Sequence, residues 1–172
     1  MLSPRIQTFE HRTGMSSNGT TNNVDQNGGK YTFVCTKDKI MQERKMQCKV
    51  EGREVAIFYH DGEIFVLDHS CYHAGGPLSL GDIEDIQGRP CVICPYHKYK
   101  ITLDNGEGLY YSYDLKDLRK PPNLRSKGVK QRTHDVKVNG NDVYVALSDM
   151  TEPRDSDYYS PSAYKAAMSL LS

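Results

Sequence analysis

Several things are missing from this sequence, and each absence removes a class of function. No apolar run approaches the roughly 20 residues that cross a bilayer, so nothing predicts a membrane-spanning protein. The 22 basic side chains are matched by 22 acidic ones, for a formal net charge of zero. A general binder of nucleic acid or of membrane surfaces carries a basic excess, and here there is none. Met1 to Gly14 has no apolar segment of the kind a secretory signal requires. There is no glycine-rich phosphate loop and no internal repeat. Apolar residues make up only 37% of the 172, below the usual globular share, so part of the chain is expected to stay outside the core.

These absences also bear on compartment. Without a secretion signal the expected location is the cytoplasm. Arg5, Arg12 and Ser3, set against Glu10 alone, leave a short mitochondrial presequence as the alternative. Met15 offers an internal start. The five cysteines are an odd number, and in a reducing compartment they read as ligands and core thiols rather than disulfides. Cys35 and Cys48 lie in apolar, strand-like surroundings and read as small buried hydrophobes.

What is present is β periodicity with frequent turns. Residues 1–30 read as a disordered arm, because Ser16 to Lys30 has almost nothing to bury. Tyr31–Cys35 and Met46–Val50 read as strands, with an ambiguous charged stretch at Lys37–Lys45 between them. Val55–His60 and Ile64–Leu67 flank Asp61-Gly62, a strong hairpin signal because that turn needs positive φ. Leu80–Gln87 reads as a loop with a short apolar alternation, and Cys91–Ile93 and Tyr99–Leu103 as short strands. Asp114–Arg132 is polar and basic, and Pro121-Pro122 forbids a continuous helix there. A last hairpin joins Val136–Val138 to Val143–Leu147. From Asp149 to Ser172 the chain reads as a polar tail, with one short helix at Ser162–Leu171. The pattern is that of an all-β sandwich or barrel.

The chemistry gathers at two turns. Cys71-Tyr72-His73 runs into Ala74-Gly75-Gly76-Pro77-Leu78, and Cys94-Pro95-Tyr96-His97 follows after a spacer. Each turn offers one thiolate and one imidazole. The set suits a tetrahedral zinc or a [2Fe–2S] cluster with two histidine ligands. Structural zinc sites usually pair Cys with Cys and His with His, the second pair on a helix. Here each half is mixed, and proline and glycine oppose helix at both. A binuclear cluster explains the mixture better, with one iron on the two cysteines and the other on the two histidines. Cys91 reads as packed rather than ligating. His11, His60, His69 and His134 read as surface or hydrogen-bonding residues.

At this point the sequence resembles the Rieske family. Cys71 to Leu78 and Cys94 to His97 match its two signature boxes in order and in residue type, over a resemblance that runs from Tyr31 to Ser148. The resemblance implies a Rieske fold, an antiparallel β-sandwich or partial barrel. A small cluster-binding subdomain at about residues 69–105 would sit within the domain 31–148. It implies one [2Fe–2S] cluster per chain, held by Cys71, His73, Cys94 and His97. Pro77, Leu78 and Pro95 would form an apolar collar. Lys98 stands where the family commonly has glycine and Ile101 where an aromatic is common. High-potential members carry a disulfide at the positions of Gly76 and Tyr96, and hydroxyl donors at those of Tyr99 and Ile101. The chain is therefore similar to the low-potential, soluble Rieske-type ferredoxins, the oxygenase ferredoxins and soluble vertebrate members included.

The expected function is one-electron transfer by a monomer that binds neither nucleic acid nor membrane. It would pass electrons from a reductase to an oxygenase or other acceptor protein, without catalysis of its own. The alternative is a redox or iron–sulfur sensing or assembly module. A terminal oxygenase would need a second iron site on a large further domain, and the remaining sequence is too short and polar for one. The basic segment 116–132 is either a docking element for an acidic partner or a solvated loop.

Overall fold

The computed structural model describes residues 30–160 together with Asn23 and Val24. The rest of the expected N-terminal arm, His11, and the helix expected at 162–171 lie outside the described residues.

Two antiparallel sheets form the domain. The larger contains β1 (Asn23–Val24), β2 (Lys30–Thr36), β3 (Lys45–Val50), β4 (Arg53–His60), β5 (Glu63–Asp68), β11 (Thr133–Asn139) and β12 (Asp142–Ala146). Its spatial order is β1-β2-β12-β11-β5-β4-β3. The smaller contains β6 (Asp82–Asp85), β7 (Pro90–Ile93), β8 (Lys100–Thr102), β9 (Glu107–Ser112) and β10 (Asn123–Val129), in the order β10-β9-β8-β7-β6. The small sheet runs to Val129, well past the limit at residue 105 that the sequence suggests for the cluster-binding unit.

Strands β4 and β5 form the wall between two cores. Successive side chains on a strand point to opposite faces. Ala56, Phe58 and Leu67 accordingly face one core, which also holds Cys71, Leu78, Cys94 and Ile101. Val55, Ile57 and Val66 face the other, with Ile40, Val143 and Val145. All six of these wall residues are almost fully buried, and each large one stabilises the fold by about 1.5–3 kcal/mol. The hairpin they form turns at Asp61-Gly62, both at positive φ as that turn requires.

The ambiguous stretch after β2 is a seven-residue helix, α1 (Lys37–Glu43). The Thr36 hydroxyl accepts from the Lys39 amide, and Ile40 plugs the second core. The last described segment differs most from a free polar tail. It folds back onto the domain and ends in a 3-10 turn at Asp155–Tyr159. Its Ser156 is fully buried. Asp157 meets Arg53 and Arg132, the latter through Nη2 at 2.6 Å. The Ser156 hydroxyl donates to Asp68 Oδ2 at 2.7 Å and accepts from the Arg132 amide at 2.9 Å.

Candidate metal centre

The first candidate loop leaves the end of β5, and the second joins β7 to β8. Their backbones follow one plan. In the first, the Cys71 amide donates to the Gly76 carbonyl and the Gly75 amide to the Cys71 carbonyl, both at 2.8 Å. In the second, the Cys94 amide donates to the Tyr99 carbonyl at 2.8 Å and the Lys98 amide to the Cys94 carbonyl at 3.0 Å. Each cysteine thus accepts from the residue four on and donates to the residue five on. The closing residue is left-handed in both loops, Gly75 at φ 70 and Lys98 at φ 58. Lysine at the family's glycine position therefore keeps the turn, at a cost in backbone strain.

The four candidate side chains form two pairs. Cys71 and Cys94 are buried at the base, their thiols within hydrogen-bond reach of each other. His73 and His97 stand exposed at the rim, ring centroids 4.8 Å apart and nearly perpendicular. Among the described residues no three or more His, Cys, Asp or Glu converge on a single point. Burial pushes the Cys71 thiol up to about 12; Cys94 adds to the rise, and the amides of His73 and Ala74 oppose it. Those two amides aim at the sulfur and are ready donors to a thiolate.

The donor set fits a two-iron cluster on this evidence. Gly76 leaves room that a side chain would fill, since a Cβ there would lie 2.7 Å from Cys94 Sγ. The same Cβ would lie 3.1 Å from Tyr96 Cγ, so the two loops come close together at Gly76 and Tyr96. Neither residue can form a disulfide. Ile101 is fully buried in the core beneath the cysteines and offers no hydroxyl. The Tyr99 ring is stacked on His73, centroids 4.0 Å apart and 15° from parallel. Lys127 Nζ lies over the Tyr99 ring, 4.3 Å from its centroid.

Other sequence expectations find their places. Cys91 packs with Ile86, Ile93 and Leu109 in a third, separate cluster. Cys35 is in the core behind β4, with Cys48 half-buried beside it. His134 Nε2 pairs with Asp68 Oδ1 at 3.0 Å, His69 Nε2 with Ser79 Oγ at 2.9 Å, and His60 lies beside Asp61. Leu78 is fully buried against both cysteines, while Pro77 and Pro95 are half-buried. The basic segment is not one surface. Residues 123–129 form strand β10, Arg119 pairs with Asp117, Lys120 with Asp114, and Lys130 with Asp155. Lys127 alone among these is seen facing the site.

Two supports of the first loop were not legible as such. Gln131 is fully buried: its Oε1 accepts from the Tyr72 amide at 2.8 Å, and its Nε2 donates to the Asp68 and Ser70 carbonyls. Tyr159 donates its hydroxyl to the His73 carbonyl at 2.8 Å.

A two-sheet β domain with paired Cys/His turns at one end has the architecture of Rieske-type iron–sulfur domains. The soluble Rieske-type ferredoxin family matches residues 32–150, and the chain belongs to that family. It is 50% identical over 141 residues to a human Rieske domain-containing protein, covering 81% of this chain and 90% of that one. It is 33% identical over 79 residues to the 3-phenylpropionate/cinnamic acid dioxygenase ferredoxin subunit of Photorhabdus laumondii, covering 45% of this chain and 70% of that one. Among solved structures, the ferredoxin of carbazole 1,9a-dioxygenase from Nocardioides aromaticivorans superposes with a TM-score of 0.52 at 20% identity, over 69% of this chain and 98% of that one. The Escherichia coli protein NirD does so at 0.51 and 20%, over 70% and 99%. At such identity the two structures speak for the fold alone. Family membership makes the chain an electron carrier rather than a catalyst in its own right. Among the described residues no helix is long and apolar enough to cross a membrane.

Proposed function

We propose that this chain is a low-potential one-electron carrier. Cys71 and Cys94 would hold one iron of a [2Fe–2S] cluster as thiolates, and His73 and His97 the other through one ring nitrogen each. The observation that carries the reading is the division of the four donors, two thiols buried at the base and two imidazoles side by side at the surface. When bound, the cluster supplies reversible one-electron redox chemistry at the histidine-bound iron. The protein's part is to bury the sulfurs, to donate the His73 and Ala74 amides to Cys71, and to present the imidazole edges to a partner.

The low potential rests on what surrounds the sulfurs. Hydrogen bonds to cluster sulfurs raise the potential. Ile101, buried in the core with the cysteines, has no hydroxyl to give. The expected value lies at the low end of the Rieske range, about −150 mV. The chain acts as a monomer in a reducing compartment, the cytoplasm, in keeping with its five unbridged cysteines.

Electrons would come from a reductase and go to an oxygenase or other acceptor, as the names of the dioxygenase ferredoxin relatives suggest. The docking face is the groove beside His97. It has a volume of about 320 Å³, lined by Lys98, Lys100, Tyr110, Tyr113 and Lys127, with no carboxylate in its lining. That surface favours a partner that presents acidic residues. Anionic and cationic small oxidants probe it directly. Lys127→Glu should slow oxidation by ferricyanide about tenfold at low salt, and Lys137→Glu, over Tyr31 on the large sheet, should not. Equal effects would remove the docking face and leave the carrier standing.

Absorption and EPR spectra of the purified protein test the cluster itself. A red-brown protein that dithionite bleaches to a rhombic EPR signal is expected. A colourless, zinc-loaded protein would overturn the reading. His97→Cys should change the spectrum, and an unchanged spectrum would strike His97 from the ligands. A cluster that is reduced by a reductase and re-oxidised by no acceptor would assign the chain to sensing instead.

A further inference from the structure

We propose that residues 151–160 form a strap that holds the first ligand loop in place, with Tyr159 as a positioning residue for His73. The strap lies beyond the stretch 32–150 that the family shares. Its tip touches the loop twice. The Tyr159 hydroxyl donates to the His73 carbonyl at 2.8 Å, and the ring lies against Gly75, where an added Cβ would sit 3.3 Å from Tyr159 Cδ1. Gly75 is the left-handed residue that closes the loop, so the ring covers the point on which the turn depends.

The strap is itself anchored in buried ionic groups. Asp157 bridges Arg53 of β4 and Arg132, the residue just before β11. Ser156 donates to Asp68 at the end of β5, three residues before Cys71. Arg53 Nε and His134 Nε2 complete the ring of donors around Asp68, at 2.5 Å and 3.0 Å. Asp155 pairs with Lys130 at 3.0 Å, beside Gln131, whose side chain grips the same loop from within. Arg132 also binds the carbonyls of Asp149 and Glu152, which sets the start of the strap. The first loop is thus gripped on one side by Gln131 and on the other by Tyr159. His73 carries its ring to the rim from this loop, 4.8 Å from the ring of His97.

The second loop has the same backbone plan and serves as the internal control. Amide hydrogen exchange on the full-length protein reads both loops at once. Tyr159→Phe keeps the ring and loses the hydroxyl; it should speed exchange of the Cys71 and Gly75 amides about fivefold. Tyr159→Ala loses both and should speed it by about tenfold or more. The Cys94 and Lys98 amides should be unchanged in each variant. In cluster-loaded protein, bleaching of the visible absorption by EDTA should quicken in the same order, wild type, Phe, Ala. An unchanged rate at Cys71 and Gly75 would overturn the proposal. So would an equal rise in both loops, because that reports general destabilisation rather than a hold on one loop. The exchange measurement needs no cluster, so its failure is distinct from failure of the carrier reading.

Discussion

In the first ligand loop a glycine takes the left-handed backbone that closes the turn, and in the second a lysine takes it, yet the two loops make the same pair of hydrogen bonds. The difference lies in what holds them. The second loop extends a local hairpin: β7 and β8 pair through Ile93 and Lys100, and the bond from Cys94 to Tyr99 is the next rung. The first loop closes locally as well, through an antiparallel bridge between Ser70 and Pro77 and the Leu78 amide on the His69 carbonyl, but it draws further support from far along the chain. It is held by Gln131 and Tyr159, which lie 59 residues beyond Tyr72 and 86 beyond His73. One site has therefore been built from a half that continues a regular two-strand hairpin and a half whose short local bridge is reinforced by distant side chains. Loop two should form early in folding, and loop one should close last.

Substitutions at the two loops can sharpen this contrast, and the largest effect belongs to the point where they meet. Gly76→Ala places a methyl group on the Cys94 sulfur and against Tyr96. It should prevent cluster assembly, seen as loss of the visible absorption. Gly75→Ala, next in sequence, should keep the colour, because its cost is backbone strain of about 1–2 kcal/mol.

Second in size is the inner grip. Gln131→Ala leaves the Tyr72 amide and the Asp68 and Ser70 carbonyls without their partner. A loss of about 3 kcal/mol is expected, lowering Tm by roughly 6–12 °C. If calorimetry finds no change, the first loop does not depend on tertiary support and the contrast collapses.

Acid should act on the same half. Burial works to raise the Asp157 carboxyl, but hydrogen bonds from Arg132, the Arg154 amide and Arg53 prevail and lower it to about 2, against an ordinary 3.8. A carboxyl held lower in the fold than in the unfolded chain contributes stability above its unfolded value, and that contribution fades as pH falls through the folded one. Denaturant midpoints should therefore decline between about pH 4 and pH 2, and Asp157→Asn should flatten that decline. The smallest effect belongs to the second loop. Lys98→Gly should relieve the left-handed strain and raise stability by up to about 1 kcal/mol, with exchange in the first loop unaltered.

Much of this was legible in the sequence because it is local. The mixed Cys/His turns, their glycines and prolines, and the alternation of β4 and β5 all announce themselves within a few residues. The tertiary polar contacts do not. Arg53, Asp68, Arg132 and Asp157 look like ordinary surface charges, and only the fold brings them together over as many as 104 residues. Tyr159 sits in a stretch with the composition of a free tail. Strand β10 was hidden for another reason: Leu124-Arg125-Ser126-Lys127 shows no apolar alternation, because an edge strand with both faces wet needs none. Helix α1 has one weak signal, the threonine that caps it.

The strap also fixes the position of Ser160, one residue past the ring that rests on the His73 loop. A redox enzyme joined at Ser160 would be tethered beside the His73 loop, where a short flexible linker gives an effective concentration in the millimolar range. Joined instead ahead of β1, on the outer edge of the large sheet, the same enzyme would start four strands away from β5, which carries the His73 loop.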